Sequence, residues 1–454
     1  MIRQEPLSLG SSHPILEHVL KIKTLSLKNF RRFKDFQINF EPGLTVLVAR
    51  NGAGKTSILD GLAICLGAFL THLPGVKGRN PRGADFRVER DKQNPNRLLR
   101  PAFMRLGCEL VNGVAWDRSE LRDKAQKTRA QVPKGLGLRR IHDYADGFIN
   151  AYNDKAIFQL PVILYYGAGR GVFDLPARKT GFGKTFDRFD SFGECLESRT
   201  NFRRFMEYFY YLVDRENAEK IDRRSFDYQT PELKAIRAAI SHALPSMSNP
   251  RKADPAGFMV DWLEQGETKS LRFEQLSDGY RTTLAMIMDI AARMVEANPQ
   301  MADPLQSEGV ILIDEIDLHL HPGWQQTILT DLQAAFPCVQ FVVTTHSPQV
   351  LTTVRPSAIR IIQWMEEEPG LQSVAFSEGA EAQQLLKQIL GVAPRPTGVD
   401  HVKRLKRYQN LVEKSQWDSS EALALREELD DWGHGHEPEL ERLDIDIRLK
   451  ELDR

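Results

Sequence analysis

A short glycine-containing segment carries the clearest chemical signal in the chain. Residues 49–57 read Ala-Arg-Asn-Gly-Ala-Gly-Lys-Thr-Ser and lie between an apolar run and a segment with helical spacing. Glycines let such a loop curl so that its N–H groups and the positive end of the following helix face a phosphate. Lys55 would reach the β- and γ-phosphates, and the Thr56 hydroxyl would bind Mg²⁺. We therefore predict a phosphate-binding loop that comprises Asn51, Gly52, Ala53, Gly54, Lys55, Thr56 and Ser57.

Two adjacent carboxylates follow a second apolar run. Residues 310–313 read Val-Ile-Leu-Ile, and Asp314 and Glu315 come directly after them. Ligands of open α/β sheets collect at the carboxyl ends of the strands. We expect Asp314 to hold Mg²⁺, directly or through water, and Glu315 to orient and polarise an attacking water. Taken alone, the same pattern also fits a strand end with a purely structural role.

Two further polar groups stand at the ends of predicted elements. Ser277, Asp278 and Gly279 precede a helix predicted over about 280–297, where they form either an anion site or a simple helix cap. His346 follows the run Phe-Val-Val-Thr-Thr at 341–345. In isolation it fits a core or loop histidine, but after the other three motifs it is a candidate sensor of a γ-phosphate.

The elements around these residues are predicted from hydrophobic periodicity. Alternating runs at 22–27, 36–40 and 44–48 indicate strands, and a helix follows from Thr56 to Gly67. Residues 103–116 suggest a hairpin that turns at Asn-Gly. Continuous apolar runs indicate buried strands at 161–166, 310–313 and 339–343, and residues 185–245 have helical spacing. A second Gly-Lys-Thr segment at 181–185 lacks a preceding apolar strand and fits a solvated loop.

Composition excludes several classes of protein. The chain has 454 residues, with 61 Lys and Arg against 61 Asp and Glu, so a histone-like nucleic-acid binder is excluded. Four cysteines without a Cys-x-x-Cys pair disfavour a disulfide framework or a zinc ribbon. No apolar run approaches the ~20 residues that a bilayer requires. We therefore expect a cytoplasmic protein without a membrane partner. The basic stretches 79–105 and 118–140 fit a DNA-facing surface or solvated loops equally well.

The order of the motifs resembles the ABC-type P-loop ATPase heads of the RecF, SMC and OLD proteins. The match covers residues 22–67 and 270–350. The resemblance implies an α/β head with a mixed sheet flanked by helices, with ATP and Mg²⁺ as cofactors. It makes residues 277–279 the signature motif, places residues 317–319 in a loop that contacts the partner subunit, and makes His346 the switch histidine. The glutamine of the family's Q-loop has no counterpart here, because Gln159 precedes a strand rather than following one. Arg170 is the other candidate for this position.

The resemblance also implies a domain organisation. Residues 1–70 would form the N-terminal lobe with the P-loop, and residues 71–269 a largely helical insertion with basic loops. Residues 270–395 would form the C-terminal lobe, followed by a charged helical extension over 396–454. Because the P-loop and the signature motif lie apart in one subunit, two copies are expected to pair head to tail around ATP, within a homo-oligomer.

A narrower resemblance concerns biological role. The phrases LSDGYR, ILIDEIDLHLHPGWQ, FVVTTHSPQVL and YYGAGR are similar to bacterial ATPases typified by PtuA of the Septu anti-phage system, including retron-associated forms. This implies a partner HNH endonuclease of the PtuB type and action on double-stranded phage DNA. A nuclease centre within the chain is not expected, because the one late Asp-x-Asp, at 444–446, lies in the charged tail. A RecF-like repair ATPase shares every motif and is the alternative.

Overall fold

The computed structural model describes residues 19–91, 93–94, 96, 98–171, 187–197, 203–253, 257–366 and 368–452. The segment 181–185 and Arg97, within the first basic stretch, lie outside the described residues. The chain divides into two compact units, Met1–Ala382 and Gln383–Arg454, which are described separately. Within the described part, no helix is both long and apolar enough to cross a bilayer.

Strands in the described part all belong to the first unit. In chain order they are β1 Ile22–Phe30, β2 Phe33–Asn39, β3 Leu44–Val48, β4 Glu89–Arg90, β5 Leu98–Leu99, β6 Phe103–Leu110, β7 Ala115–Leu121, β8 Val162–Tyr166, β9 Met247–Ala253, β10 Gly257–Glu264, β11 Glu267–Arg272, β12 Gly309–Ile313, β13 Val339–Thr345, β14 Ile359–Met365 and β15 Glu368–Gln372.

The α-helices lie before, between and after these strands. In chain order they are α1 Lys55–Leu70, α2 Gln126–Ala130, α3 Arg139–Asn153, α4 Arg203–Asp222, α5 Pro231–Ala243, α6 Asp278–Ala297, α7 Pro322–Gln325, α8 Ile328–Ala335, α9 Pro348–Leu351, α10 Ala382–Gln388, α11 Asp400–Glu413, α12 Ser420–Gly433 and α13 Pro438–Leu452.

A six-stranded sheet forms the centre of the first unit, in the order β15-β14-β3-β13-β12-β8. The strands from β14 to β8 run parallel, and only β15 is antiparallel to its neighbour. Strands β8, β12 and β13 are buried at every position, as expected of parallel strands covered on both faces. Parallel pairing brings the carboxyl ends of β3, β8, β12 and β13 to one edge. This mixed sheet with flanking helices confirms the predicted α/β class.

Strands accompany the helices within the predicted insertion 71–269. The predicted hairpin at 103–116 is confirmed as β6 and β7, with Gly113 at φ 86° between them. It pairs with β1 in a second sheet, β2-β1-β6-β7, and a third sheet has the order β11-β10-β9. Helix α1 lies against the second sheet at Gly61, where a Cβ would come within 2.9 Å of Leu27. The segment that begins with Lys55 is therefore fixed between two sheets.

The second unit is helical, as the sequence predicts. Helices α11, α12 and α13 enclose their own core, and an ion pair joins Arg426 of α12 to Asp444 of α13. The core consists of Leu405, Tyr408, Leu411, Val412, Trp417, Ala422, Leu429, Leu440 and Leu443. Asp444, the first carboxylate of the late Asp-x-Asp, thus has a partner within this unit.

Candidate functional site

The loop 49–57 connects the end of β3 to the start of α1, as predicted. Gly52 and Gly54 adopt left-handed conformations, with φ of 74° and 107°. At Gly54 a Cβ would also lie 2.6 Å from Cζ of Phe33, so only glycine fits that position. The Ile58 amide donates to the Gly54 carbonyl over 3.1 Å, which makes the loop continuous with α1. The curled backbone therefore ends at a helix N-terminus, the arrangement that binds a phosphate.

Two side chains that the sequence analysis missed hold the outer side of this loop. The Arg32 guanidinium lies over the Trp364 ring, 3.7 Å from its centroid, and donates to the Gly52 carbonyl. Trp364 Nε1 donates to the Ala53 carbonyl over 2.9 Å. Burial, aided by the nearby Arg87, lowers the pKa of Arg32. No local pattern identifies this pair, because Trp364 reaches the loop only through the pairing of β14 with β3.

Lys55 and His346, distant in sequence, are brought into contact. Lys55 is 7% exposed; its Nζ donates to the Ala49 carbonyl over 3.0 Å and lies 2.6 Å from His346 Nε2. Burial lowers the pKa of Lys55, although Asp314 and its neighbours oppose this. Burial and the Lys55 charge lower the pKa of His346. Since an ammonium can only donate, a charged Lys55 makes His346 Nε2 the acceptor of this hydrogen bond.

The predicted Mg²⁺ ligands are also in contact. Thr56 Oγ1 donates to Asp314 Oδ2 over 2.8 Å, and Thr344 Oγ1 donates to Asp314 Oδ1 over 2.6 Å. The Glu315 amide donates to the same Thr344 hydroxyl over 2.7 Å. A hydroxyl and a carboxylate at this spacing are hard oxygen donors, the class that Mg²⁺ prefers, so the residues fit such an ion. Thr344 was not predicted as a site residue, although its hydroxyl interrupts an apolar run.

The loop after β12 is anchored from two sides. Arg170, 3% exposed, donates from Nη1 to the Asp314 carbonyl and from Nη2 to the Glu315 carbonyl, the latter over 2.6 Å. Burial lowers the pKa of Arg170 to about 10. Asp317 Oδ1 accepts from Thr345 Oγ1 over 2.6 Å. Gln159 instead donates to the Gln306 carbonyl, away from this loop.

The predicted signature residues cap α6 beside the same loop. Ser277 is the N-cap, and its carbonyl accepts from the Arg281 amide over 2.9 Å. A Cβ at Gly279 would overlap the carbonyl oxygen of His319, so glycine permits this close approach. Asp278 pairs with Arg281. Among the described residues, no hydrogen bond joins this group to the loop 49–57.

The chain is similar to several known proteins. A family model described as an AAA domain matches residues 24–247, and a second, described as an AAA domain, putative AbiEii toxin, Type IV TA system, matches residues 222–352. The "Retron Ec83 probable ATPase" of Escherichia coli is 28% identical, over 96% of this chain and 88% of that protein. The Septu protein PtuA of Bacillus thuringiensis is 22% identical, over 82% of this chain and 85% of that protein.

Shorter and more distant similarities also exist. The replication and repair protein RecF of Desulfitobacterium hafniense is 51% identical over 43 residues, 10% of this chain and 12% of that protein. Among solved structures, an SMC head bound to the C-winged helix domain of ScpA covers 78% of this chain and 98% of its own, at 16% identity and a TM-score of 0.43. By its family-model and sequence matches, the chain is similar to ABC-type P-loop ATPases, among them PtuA and the retron ATPases.

Proposed function

We propose that the chain hydrolyses Mg²⁺-bound ATP at the edge of the central sheet where β3, β12 and β13 end. The contact between Thr56 and Asp314, 2.8 Å long, carries this proposal, since it joins the phosphate loop to the carboxylate strand. Lys55 and the loop amides hold the phosphates, and Thr56 and Asp314 hold Mg²⁺, which would neutralise charge on the phosphates. Glu315 orients and polarises the attacking water, and His346 senses the γ-phosphate through the position of Lys55.

We further propose that the signature motif acts on the nucleotide of a second copy. Ser277 and Gly279 offer backbone amides at the N-terminus of α6, an arrangement suited to an anion. An aromatic cluster lies beside them: the Tyr280 ring centroid is 4.1 Å from that of Trp262 and 3.8 Å from that of Trp324, and all three side chains are half-buried. Head-to-tail pairing then places ATP between the two copies, and hydrolysis releases them.

Sedimentation tests this pairing. A Glu315→Gln chain, which binds ATP without hydrolysing it, is expected to double its mass on addition of Mg²⁺-ATP. Ser277→Arg in the same background is expected to remain at the lower mass, because a long cationic side chain at the N-cap obstructs the contact. Bound nucleotide is quantified in both samples. An unchanged mass in Glu315→Gln with nucleotide bound would contradict head-to-tail pairing.

The biological role we propose is anti-phage defence, in a complex with an HNH endonuclease of the PtuB type that cleaves double-stranded DNA. The similarity to PtuA and to a retron ATPase supports it. Nuclease chemistry is assigned to the partner, since Asp444 pairs with Arg426. In the stretch 118–140, Arg118 is directed to the Ile64 and Arg79 carbonyls. We therefore assign a DNA-facing surface to exposed basic residues of this stretch. They are Lys124, Lys127, Arg129, Lys134, Arg139 and Arg140.

The complex provides the test of this role. We expect the chain to co-purify with the product of a neighbouring HNH gene and DNA cleavage to depend on ATP. Lys124→Glu with Lys127→Glu is expected to weaken duplex binding and to reduce its salt slope by about 2. Reversal of Glu120, near the end of β7, and Asp123, just after it, to lysine is the opposite-sign control. DNA binding without an associated nuclease would favour the RecF-like alternative, which the RecF match supports.

A further inference from the structure

Glu315 has a backbone conformation that a residue with a side chain seldom adopts. Its φ is 51°, in the left-handed region, immediately after the buried strand β12. This conformation determines the direction in which the carboxylate leaves the backbone. Such a conformation persists only where its surroundings hold it. The contacts that hold Glu315 are therefore part of the site.

The peptide groups around Glu315 are held from two neighbouring strands. On the β13 side, the Thr344 hydroxyl accepts from the Glu315 amide over 2.7 Å. On the β8 side, Arg170 donates to the carbonyls of Asp314 and Glu315. Arg170 lies in a short 3-10 turn directly after β8, and the Asp314 amide donates to the Tyr166 carbonyl at the end of that strand over 2.8 Å. One guanidinium thus spans two consecutive carbonyls.

We propose that Arg170 is a positioning residue for ATP hydrolysis, because it holds the left-handed Glu315 backbone and thereby aims the carboxylate. This inference rests on the proposed role of Glu315. Arg170 is 3% exposed, and its guanidinium is directed to the main-chain carbonyls of Gly167, Asp314 and Glu315, which is the arrangement of a positioning residue. A guanidinium has a planar pair of N–H donors that can bind two carbonyls at once. A lysine ammonium is a compact charge and lacks this planar pair, so lysine is not an equivalent replacement.

Arg170→Ala and Arg170→Lys test the proposal. We expect kcat to fall about 100-fold in Arg170→Ala, the usual result of a misplaced catalytic group, and at least 10-fold in Arg170→Lys. The Kd of a fluorescent ATP analogue is expected to change by less than threefold. Low millimolar guanidinium chloride is expected to restore kcat of Arg170→Ala at least several-fold and to leave Glu315→Gln unaffected. Arg170→Lys keeps a buried cation and provides a second variant if Arg170→Ala does not fold.

Arg188 is the matched control. It too binds main-chain carbonyls, donating to Ala297 over 2.6 Å and to Phe158 over 2.9 Å, away from Glu315. Arg188→Ala is expected to keep kcat within threefold of the parent chain. Equal losses of kcat in the Arg170 and Arg188 variants would overturn the proposal, as would a loss of nucleotide affinity as large as the loss of kcat. If Glu315→Gln is inactive while both Arg170 variants keep parental kcat, this inference alone fails. Full hydrolysis by Glu315→Gln would instead overturn the proposed function.

Discussion

Glu315→Gln is expected to lower the rate of ATP hydrolysis by about 10³-fold and to leave ATP affinity nearly unchanged. Glutamine has the same shape and keeps the backbone contacts with Thr344 and Arg170. It has no negative charge, however, and cannot polarise a water as a carboxylate does. Phosphate release under saturating Mg²⁺-ATP measures kcat, and equilibrium binding of a fluorescent analogue measures Kd.

Glu366 provides a control for this prediction. It also has a left-handed backbone, with φ of 56°, but its side chain is exposed at the end of β14. Glu366→Gln is expected to hydrolyse ATP at the parental rate. A Glu315→Gln chain with more than a tenth of the parental kcat would show that another group activates the water.

Arg293→Ala is expected to give the largest loss of stability in the first unit, about 3–5 kcal/mol, because it leaves a buried carboxylate unpaired. In α6, Arg293 Nε donates to Asp289 Oδ1 over 2.9 Å, with side-chain exposures of 5% and 2%. Tyr166 donates to Asp289 Oδ2 over 2.8 Å, and Arg293 also donates to the Gly193 carbonyl. Burial alone would lower the pKa of Arg293, but the charges of Asp289, Tyr166 and Cys195 together outweigh it and the pKa is raised.

Urea unfolding of the full chain measures this loss as a decrease in the free energy of unfolding. The transition is monitored with probes located in the first unit. Arg139→Ala removes an exposed pair with the same i,i+4 spacing, 92% and 66% exposed, and is expected to change stability little. Asp289→Leu combined with Arg293→Leu is expected to be less destabilised than Arg293→Ala alone, because no charge is left unpaired. A double variant as unstable as the single one would show that packing, rather than charge, dominates at this position.

The sequence predicts best where the signal is local. The strand ends that carry Lys55, Asp314 and His346 are each preceded by an apolar run, and the structure brings all three motifs to one edge. The hairpin at Asn112 and Gly113 is likewise a local pattern. Parallel strands covered on both faces leave few alternatives for where polar side chains can emerge.

The sequence predicts poorly where contacts join distant segments. Pairing of β6 with β1, and of β8 with β12, depends on register across long separations that no local pattern encodes. The position of Arg170 beside Glu315 depends on the pairing of β8 with β12, because this pairing places the turn after β8 next to the loop after β12. The contact of Trp364 with the P-loop likewise depends on a pairing between distant strands, that of β14 with β3. The number of basic residues in the stretch 118–140 also overestimates the charge available for DNA. The guanidinium of Arg118 donates to the carbonyls of Ile64 and Arg79 within the fold.

Under the proposed function, a triphosphate would approach a Lys55 ammonium that already has two partners inside the protein. An imidazole nitrogen already accepts from the ammonium at 2.6 Å, across 291 positions of sequence. The Ala49 carbonyl accepts from the same ammonium, which has three N–H groups, so one donor is left for a ligand. A ligand that takes more than this donor must displace the imidazole or the carbonyl. The backbone amide of His346 donates to Asp317 Oδ1 over 3.4 Å. A shift of the imidazole on ligand binding would therefore reach the loop that contains Asp317 through the backbone of His346.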